Sequence, residues 1–412
     1  MTFPADSQAA IAYLRSTSAI RERCGIVFAA AEAGQAPHFT LHKDRLPETA
    51  RYVARVIRDN YPTLAIPYHA RWRHFAAGGR DRWGALAPRL EGRSSDEIGR
   101  VRVDLAVTSV LLDAGAGETW LYREMATGDR FSRSEGLAVA SFDMFAAGAF
   151  SSDGGKPLRA DAAALRGFDE AALAAGFQVT ADNPLVGLAG RAALMRRLGE
   201  ALAADRELFG ETARIGNLFD YLVRRARNGA LAATEILDAV LRGFSSIWPG
   251  REVIDGVNLG DVWRHSAIRT ADRTDGLVPF HKLSQWLSYS LVEPLEDAGL
   301  RVTGLDQLTG LPEYRNGGLF IDSGVLVPRD AGLLSVRQAV GAEPIVEWRA
   351  LTVVLLDRIA DLVRAELGLT PADFPLAKIL EGGTWSAGRR LARERRPGGM
   401  PPITLDSDGT VF

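Results

Sequence analysis

Nine stretches of this chain carry apolar residues at three-and-four spacing: 6–15, 47–60, 159–175, 188–205, 217–227, 232–244, 283–296, 346–367 and 371–379. Such spacing gives a helix one apolar stripe and leaves its other faces polar, so the chain is read as packed helices. Two stretches have recognisable starts. Asp182 and Asn183 precede Pro184 as a cap precedes a first-turn proline, and Thr370 with Pro371 repeats the device. Strand signals are few: residues 25–29, 101–112 and 119–123, with a turn at Gly115 and Gly117 between the last two. Residues 403–412 read as a short hairpin turning through Ser407, Asp408 and Gly409. The expected class is mainly α with a small β element. A helical subdomain is expected over residues 1–100, followed by a larger helical domain over 101–412 that ends in a tail.

Composition narrows the function classes. At 412 residues the chain can bury a large core. Its net charge of −2 argues against a general nucleic-acid binder. Cys24 is the only cysteine, so neither an internal disulfide nor a cysteine-based zinc site is expected. The first residues lack the basic start and apolar core of a signal peptide. No apolar run reaches the ~18 residues that span a bilayer. A cytoplasmic protein without nucleic-acid or membrane partners is expected, and its oligomeric state is left open.

The chain lacks a dinucleotide-binding glycine fingerprint, a Walker loop, an HExxH and a GxSxG. Its densest chemistry lies in residues 278–326. There His281, Lys282, Ser284 and Gln285 crowd a helix start, and Glu313, Tyr314, Arg315 and Asp322 surround the glycine pair Gly317 and Gly318. The chain has only four lysines and otherwise uses arginine for positive charge. Lys282 at a helix N-terminus therefore suggests a compact cation for a phosphate, against the plainer reading of a surface lysine beside a capping histidine. Glu313 and Asp322 offer two carboxylates that can divide acid and base work, although an Arg–carboxylate pair often only fixes a loop. Residues 255–265, with Asp261, Trp263 and His265, line a pocket or form a folded surface loop. Residues 67–75 mix cations and aromatics and read as an ordinary surface cluster, or else as a clamp that stacks on a ligand. Residues 381–390 read as a capped helix with a solvated basic end, or else as a lid or phosphate clamp.

These residues carry a resemblance. Residues 66–75, 260–263, 278–294 and 311–325, with the Gly382-Gly383-Thr384-Trp385 tail, resemble the uracil-catabolism protein family of fungi and bacteria over nearly the whole chain. More distantly, the chain is similar to the queuosine-salvage nucleotide N-glycosidases, helical proteins related in fold to helix-hairpin-helix DNA glycosylases. The shared blocks run in order through residues 183–186, 208–210, 217–218, 279–282 with Gln285, 308–309, 313–315 and 324–326. Residues 131–142 also look like the segment that precedes a helix in those glycosidases. The glycosidases have Asp at the position of Glu313, and they lack both the glycine pair and the tail.

The resemblance implies cleavage of an N-glycosidic bond in a ribosyl 5′-phosphate, such as phosphoribosylurea hydrolysed to urea and ribose 5-phosphate. It implies Glu313 as the catalytic carboxylate, with Asp322 as its partner or as a holder of the ribose hydroxyls. Lys282 would anchor phosphate, supported by His281 and Arg315. Asp261, Trp263, Tyr314 and Gln285 would line the rest of the site. No metal or cofactor is called for, and the expected partner is a small nucleotide or ribosyl phosphate. Two other readings stay open: an amidohydrolase or deaminase acting on the ureido group through Asp261 and His265, and a nucleotide-binding protein without catalysis.

Overall fold

The computed structural model describes residues 5–117, 119–248 and 251–406. Helices dominate, and the strands among these residues pair only in two-stranded sheets. Most helices lie where the apolar spacing predicts them, including Leu46–Asn60, Leu188–Ala204, Ala233–Phe244 and Glu343–Leu367.

Two predicted strands are helices instead. Residues 25–29 lie inside the helix Thr17–Glu32, and 101–112 fall almost wholly within Ser95–Leu111. Residues 101–112 are buried all round, and such an apolar run looks the same in a strand and in a core helix. The start signals decide it. Ser94 accepts a hydrogen bond from the Glu97 amide, and Asp96 and Glu97 complement the positive end of the helix dipole. The stretch 159–175 divides into Ala162–Arg166 and Glu170–Gly176, each opened by an aspartate cap. Asn183 does not cap a helix; its amide bonds both main-chain groups of Leu121, and the next helix begins at Leu188. Leu405–Asp406 pairs in parallel with Gln338–Ala339, while the hairpin turn expected at 407–409 lies outside the described residues.

The chain divides into two compact units that do not follow a single cut. Residue 100 itself lies within the helix Ser95–Leu111. The first unit comprises residues 1–69, 250–285 and 304–406. Its centre is the helix Glu343–Leu367, which packs against Thr17–Glu32 and Leu46–Asn60 through buried residues such as Trp348, Leu355 and Ile359. In the same unit the helices Tyr314–Asp322 and Trp385–Arg395 lie side by side. Gly388 meets the Arg315 carbonyl, and Arg396 meets Asp322, so the two helices run in the same direction. Only glycine permits the first contact, because a Cβ at 388 would collide with the Arg315 carbonyl oxygen.

Among the described residues, the second unit holds 70–248 and 286–303. Its described core is built on Ser95–Leu111, Arg133–Ala146 and Leu188–Ala204. Pro294 sits inside the helix Lys282–Asp297 and cannot donate to the Ser290 carbonyl one turn back. The Trp72 indole takes that carbonyl instead, at 2.8 Å, so the proline leaves no buried acceptor unpaired.

Candidate functional site

Asp261 is the centre of the first unit's polar interior. Arg349 grips its two oxygens at 2.8 Å each, the Trp263 indole donates at 2.6 Å, and the Lys282 amide donates at 2.9 Å. Burial works against the charge, but the Arg349 guanidinium and these donors hold the carboxyl far below the ordinary aspartate range. Arg349 also lies 4.1 Å from the centre of the Phe280 ring and donates to the Pro312 carbonyl at 3.4 Å. One arginine thus ties the 261 loop to the start of the Lys282–Asp297 helix and to the residue before Glu313. Sequence reasoning missed it. Its only signal was a charged residue on the apolar side of a core helix.

The arrangement changes the roles expected for the neighbouring residues. The helix N-terminus assigned to a phosphate already holds an anion, because the Asp261 carboxylate accepts from the Lys282 amide. His281 is buried in a left-handed conformation (φ 49°) and bonds the Leu14 carbonyl through Nε2 at 2.8 Å. Burial lowers its pKa, so the ring is a neutral donor rather than a phosphate-binding cation. Gln285 and Thr309 bond each other reciprocally, at 2.9 Å and 3.3 Å, which fastens the helix to the 309 loop. The Trp263 ring is covered by Gly341 on one side and carries the Arg251 guanidinium 4.8 Å from its centre. These contacts give His281, Gln285 and Trp263 packing and positioning roles.

Glu313 is the cap of the helix Tyr314–Asp322. Its carboxylate accepts from the Arg315 and Asn316 amides at 2.7 Å and 2.6 Å. The side chain is therefore fixed and almost buried, at 7% exposure. Arg315 donates to the Gly399 carbonyl at 2.7 Å, and its guanidinium lies 5.0 Å from the centre of the Tyr314 ring. Gly317 faces the Trp348 ring at 2.7 Å from where a Cβ would stand, which accounts for one member of the glycine pair. Asp322 is held at both oxygens by Arg396, at 2.7 Å and 2.6 Å. It stands at the opposite end of this helix from Glu313, roughly 13 Å along the axis at 1.5 Å per residue. Paired glycosidase carboxylates lie about 5–9.5 Å apart, so these two do not form such a pair.

His265 donates from Nε2 to Glu347 at 3.2 Å and accepts the Ala267 amide at Nδ1. Its ring is thus shared between Glu347 and the Ala267 amide, while Asp261 is bound by Arg349. Among the described residues, no group of three or more His, Cys, Asp or Glu is placed to hold a metal ion. No described helix is long and apolar enough to cross a membrane.

The tail is part of the packed interior of the first unit. A π-helical turn at Leu380–Thr384 buries Gly382 against Ile66, and Gly383 against Val53 and Ile57. It leads into Trp385–Arg395, and Trp385 lies at the Glu313 end of the parallel helix pair. His69 bonds Glu381 at 2.7 Å and stands 5.9 Å from the Trp385 ring. In the second unit, the expected surface cluster also turns inward. Arg71 is wholly buried, donating to Ser109 and pairing with Asp113 at 2.8 Å. Ser134 donates to Asp113 at 2.6 Å and lies 3.3 Å from His74 Nδ1.

Comparison with known proteins follows the same full-length outline. A family described as "Protein of unknown function (DUF1688)" matches residues 13–412. The chain belongs to this family. It is 40% identical to "Uracil catabolism protein 4" of Lachancea kluyveri, covering 98% of this chain and 99% of that protein. It is 39% identical to "Protein urg3" of Schizosaccharomyces pombe with the same coverage.

Proposed function

We propose that this DUF1688 protein acts in uracil breakdown as a hydrolase of the N-glycosidic bond in a ribosyl 5′-phosphate. In the reaction phosphoribosylurea and water give ribose 5-phosphate and urea. The supporting observation is full-length similarity to a relative named for uracil catabolism, joined to a carboxylate, Glu313, held rigid at the start of a helix. The ordered blocks shared with the queuosine-salvage glycosidases support the same chemistry, and with it a relationship to the helix-hairpin-helix glycosylase fold. We infer a cytoplasmic enzyme that works on this small molecule without a cofactor.

The departing urea leaves positive charge on the ribose ring and its anomeric carbon. A preorganised carboxylate stabilises that charge without reorganising during the reaction. Glu313 suits the task because two main-chain amides fix both its oxygens. Water adds to the anomeric carbon, and the proton it releases balances the one taken by the leaving nitrogen. Asp322 takes a structural role.

Glu313→Ser separates catalysis from capping. Serine caps helices well, so the fold is expected to survive with a loss of at most about 1 kcal/mol. Turnover, followed as urea and ribose 5-phosphate by mass spectrometry, is expected to fall to background. A folded Glu313→Ser protein with wild-type turnover would remove Glu313 from the mechanism. Ammonia in place of ribose 5-phosphate from the wild-type protein would move the chemistry to the ureido group.

A further inference from the structure

The helix N-terminus at Lys282 is occupied by Asp261, and His281 and Arg315 bond the main-chain carbonyls of Leu14 and Gly399. The proposed substrate nevertheless carries a dianionic phosphate. An unassigned cavity in the first unit has the charge to take one. It measures about 610 Å³ and lies between the end of the Leu46–Asn60 helix and the Trp385–Arg395 helix. Its lining includes three arginines, Arg389, Arg390 and Arg393, against the single carboxylate of Glu394.

Helical spacing explains the grouping. Trp385, Arg389 and Arg393 follow one another four residues apart and so form one stripe. Arg389 stands 5.3 Å from the centre of the Trp385 ring. Arg390, on the neighbouring stripe, is paired with Asp59 at 2.7 Å and with Glu394 at 3.5 Å. That pairing consumes the cavity's only carboxylate. Arg393 has no hydrogen bond or ion pair among the described residues. Arg393 thus leaves this stripe with a positive charge that no described carboxylate pairs with.

The stripe is also held in place from behind. The π-helical turn inserts a residue into the ladder just before Trp385, and such turns occur often at functional sites. The Gly382 and Gly383 contacts press this turn onto the Leu46–Asn60 helix and Ile66. His69, fixed by its amide on Ala377 and its ring on Glu381, stands against the indole. A braced aromatic ring with Arg389 against it, and with Arg393 about 12 Å further along the same stripe, is a preorganised receptor for a small molecule with an anionic end and a flat, uncharged group. Phosphate matches the guanidinium geometry, and a ureido plane can lie on the indole.

We propose that the Trp385–Arg389–Arg393 stripe is the phosphate-binding subsite for the ribosyl phosphate, in place of the Lys282 helix start. The proposal rests on the functional reading given above only for the identity of the ligand. The subsite can therefore be tested by binding alone.

The experiment is isothermal titration of the full-length protein with ribose 5-phosphate and, separately, with inorganic phosphate. Wild type is compared with Arg393→Gln, Arg389→Gln/Arg393→Gln and Lys282→Gln, and thermal melts confirm folding. Each lost charge-assisted bond weakens binding about tenfold or more, so the double variant is expected to lose ribose 5-phosphate nearly completely. Lys282→Gln is expected to bind within about threefold of wild type. Unchanged binding in the folded double variant, or a larger loss in Lys282→Gln, overturns the subsite even if phosphoribosylurea is hydrolysed. Absence of binding by the wild type to both ligands overturns it too. Arginine-dependent binding of either ligand without any hydrolysis supports the subsite and sinks the proposed reaction. Should the double variant fail to fold, Arg393→Gln decides, because that side chain is exposed and glutamine keeps the stem that packs on Gly399.

Discussion

Asp104 in the second unit is fully buried and Asp261 in the first is 14% exposed, and both touch an arginine, yet their protons are held oppositely. Asp261 receives four donors, two of them from one Arg349 guanidinium set square to the carboxylate. Asp104 receives the Arg214 Nε at 2.7 Å and the Gly216 amide at 2.6 Å. Arg214 divides its charge, because its Nη1 also holds Glu97 at 2.8 Å. Burial pushes Asp104 up to about 6 despite Arg214, whereas Arg349 and its companions outweigh burial at Asp261 and hold it low. An ion pair in a protein interior is therefore not one kind of object. What counts is how many donors the carboxylate has and whether its cation is shared.

The largest expected effect comes from removing each cation in turn. Arg349→Met leaves Asp261 as a buried charge without its partner, and such losses cost about 3–5 kcal/mol. Arg214→Met should cost less, about 1–3 kcal/mol, because Asp104 lies close enough to protonation to become a neutral hydrogen-bonding group. Urea unfolding at pH 7 measures both. Equal costs would break the comparison and place the two aspartates in one class.

The next effect is a pH dependence of opposite sign. Folded Asp104 keeps its proton up to about pH 6, whereas in the unfolded chain an aspartate loses it near 4. Between those values the native state binds the extra proton, so stability is highest below pH 4 and falls as the pH rises to 6. The loss is roughly 2–3 kcal/mol, and Asp104→Asn should abolish that slope. Asp261 acts the other way. Its folded pKa lies below the unfolded one, so its contribution is complete above about pH 4 and disappears as the pH falls further. Stability of wild type, Asp104→Asn and Asp261→Asn between pH 3 and 7 resolves the two. A slope between pH 4 and 6 that survives in Asp104→Asn would assign it to another group.

These pairs also mark where sequence reasoning reaches and where it stops. The helices were legible because apolar spacing and capping are local signals. The run 101–112 misled because a core helix buried on every side has lost the alternation that identifies a helix. In the candidate site Asp261, Trp263 and Lys282 meet, whereas the crowding within residues 278–326 grouped His281 and Lys282 with Glu313 and Arg315. Their roles were not legible, because each role depends on a partner distant in sequence. Asp261 meets Arg349 across 88 residues, and His281 meets the Leu14 carbonyl across 267. Glu313 carries the catalytic expectation and Gly317 none, yet both serve the same helix. One caps it, and the other makes room for Trp348. The tail was read as a solvated basic end because its glycines carry no side chains to signal burial.

Asp322 and Arg396 give a third pair that sharpens the rule by lying between buried and exposed. The carboxylate is almost covered at 3%, but the guanidinium is 26% exposed and reachable by solvent. Water and salt can screen this arginine in a way they cannot screen Arg349. Arg396→Gln should therefore cost only about 1 kcal/mol, and less at high ionic strength. Turnover is the sharper readout. If Asp322 only joins the helix Tyr314–Asp322 to the chain beyond Trp385–Arg395, then Asp322→Asn should lower stability slightly and leave kcat within about twofold of wild type. A folded Asp322→Asn protein without turnover would require this carboxylate to act on substrate at the far end of the helix from Glu313. That result would tell against the single-carboxylate mechanism more directly than any change at Glu313, where capping and catalysis share the same two oxygens.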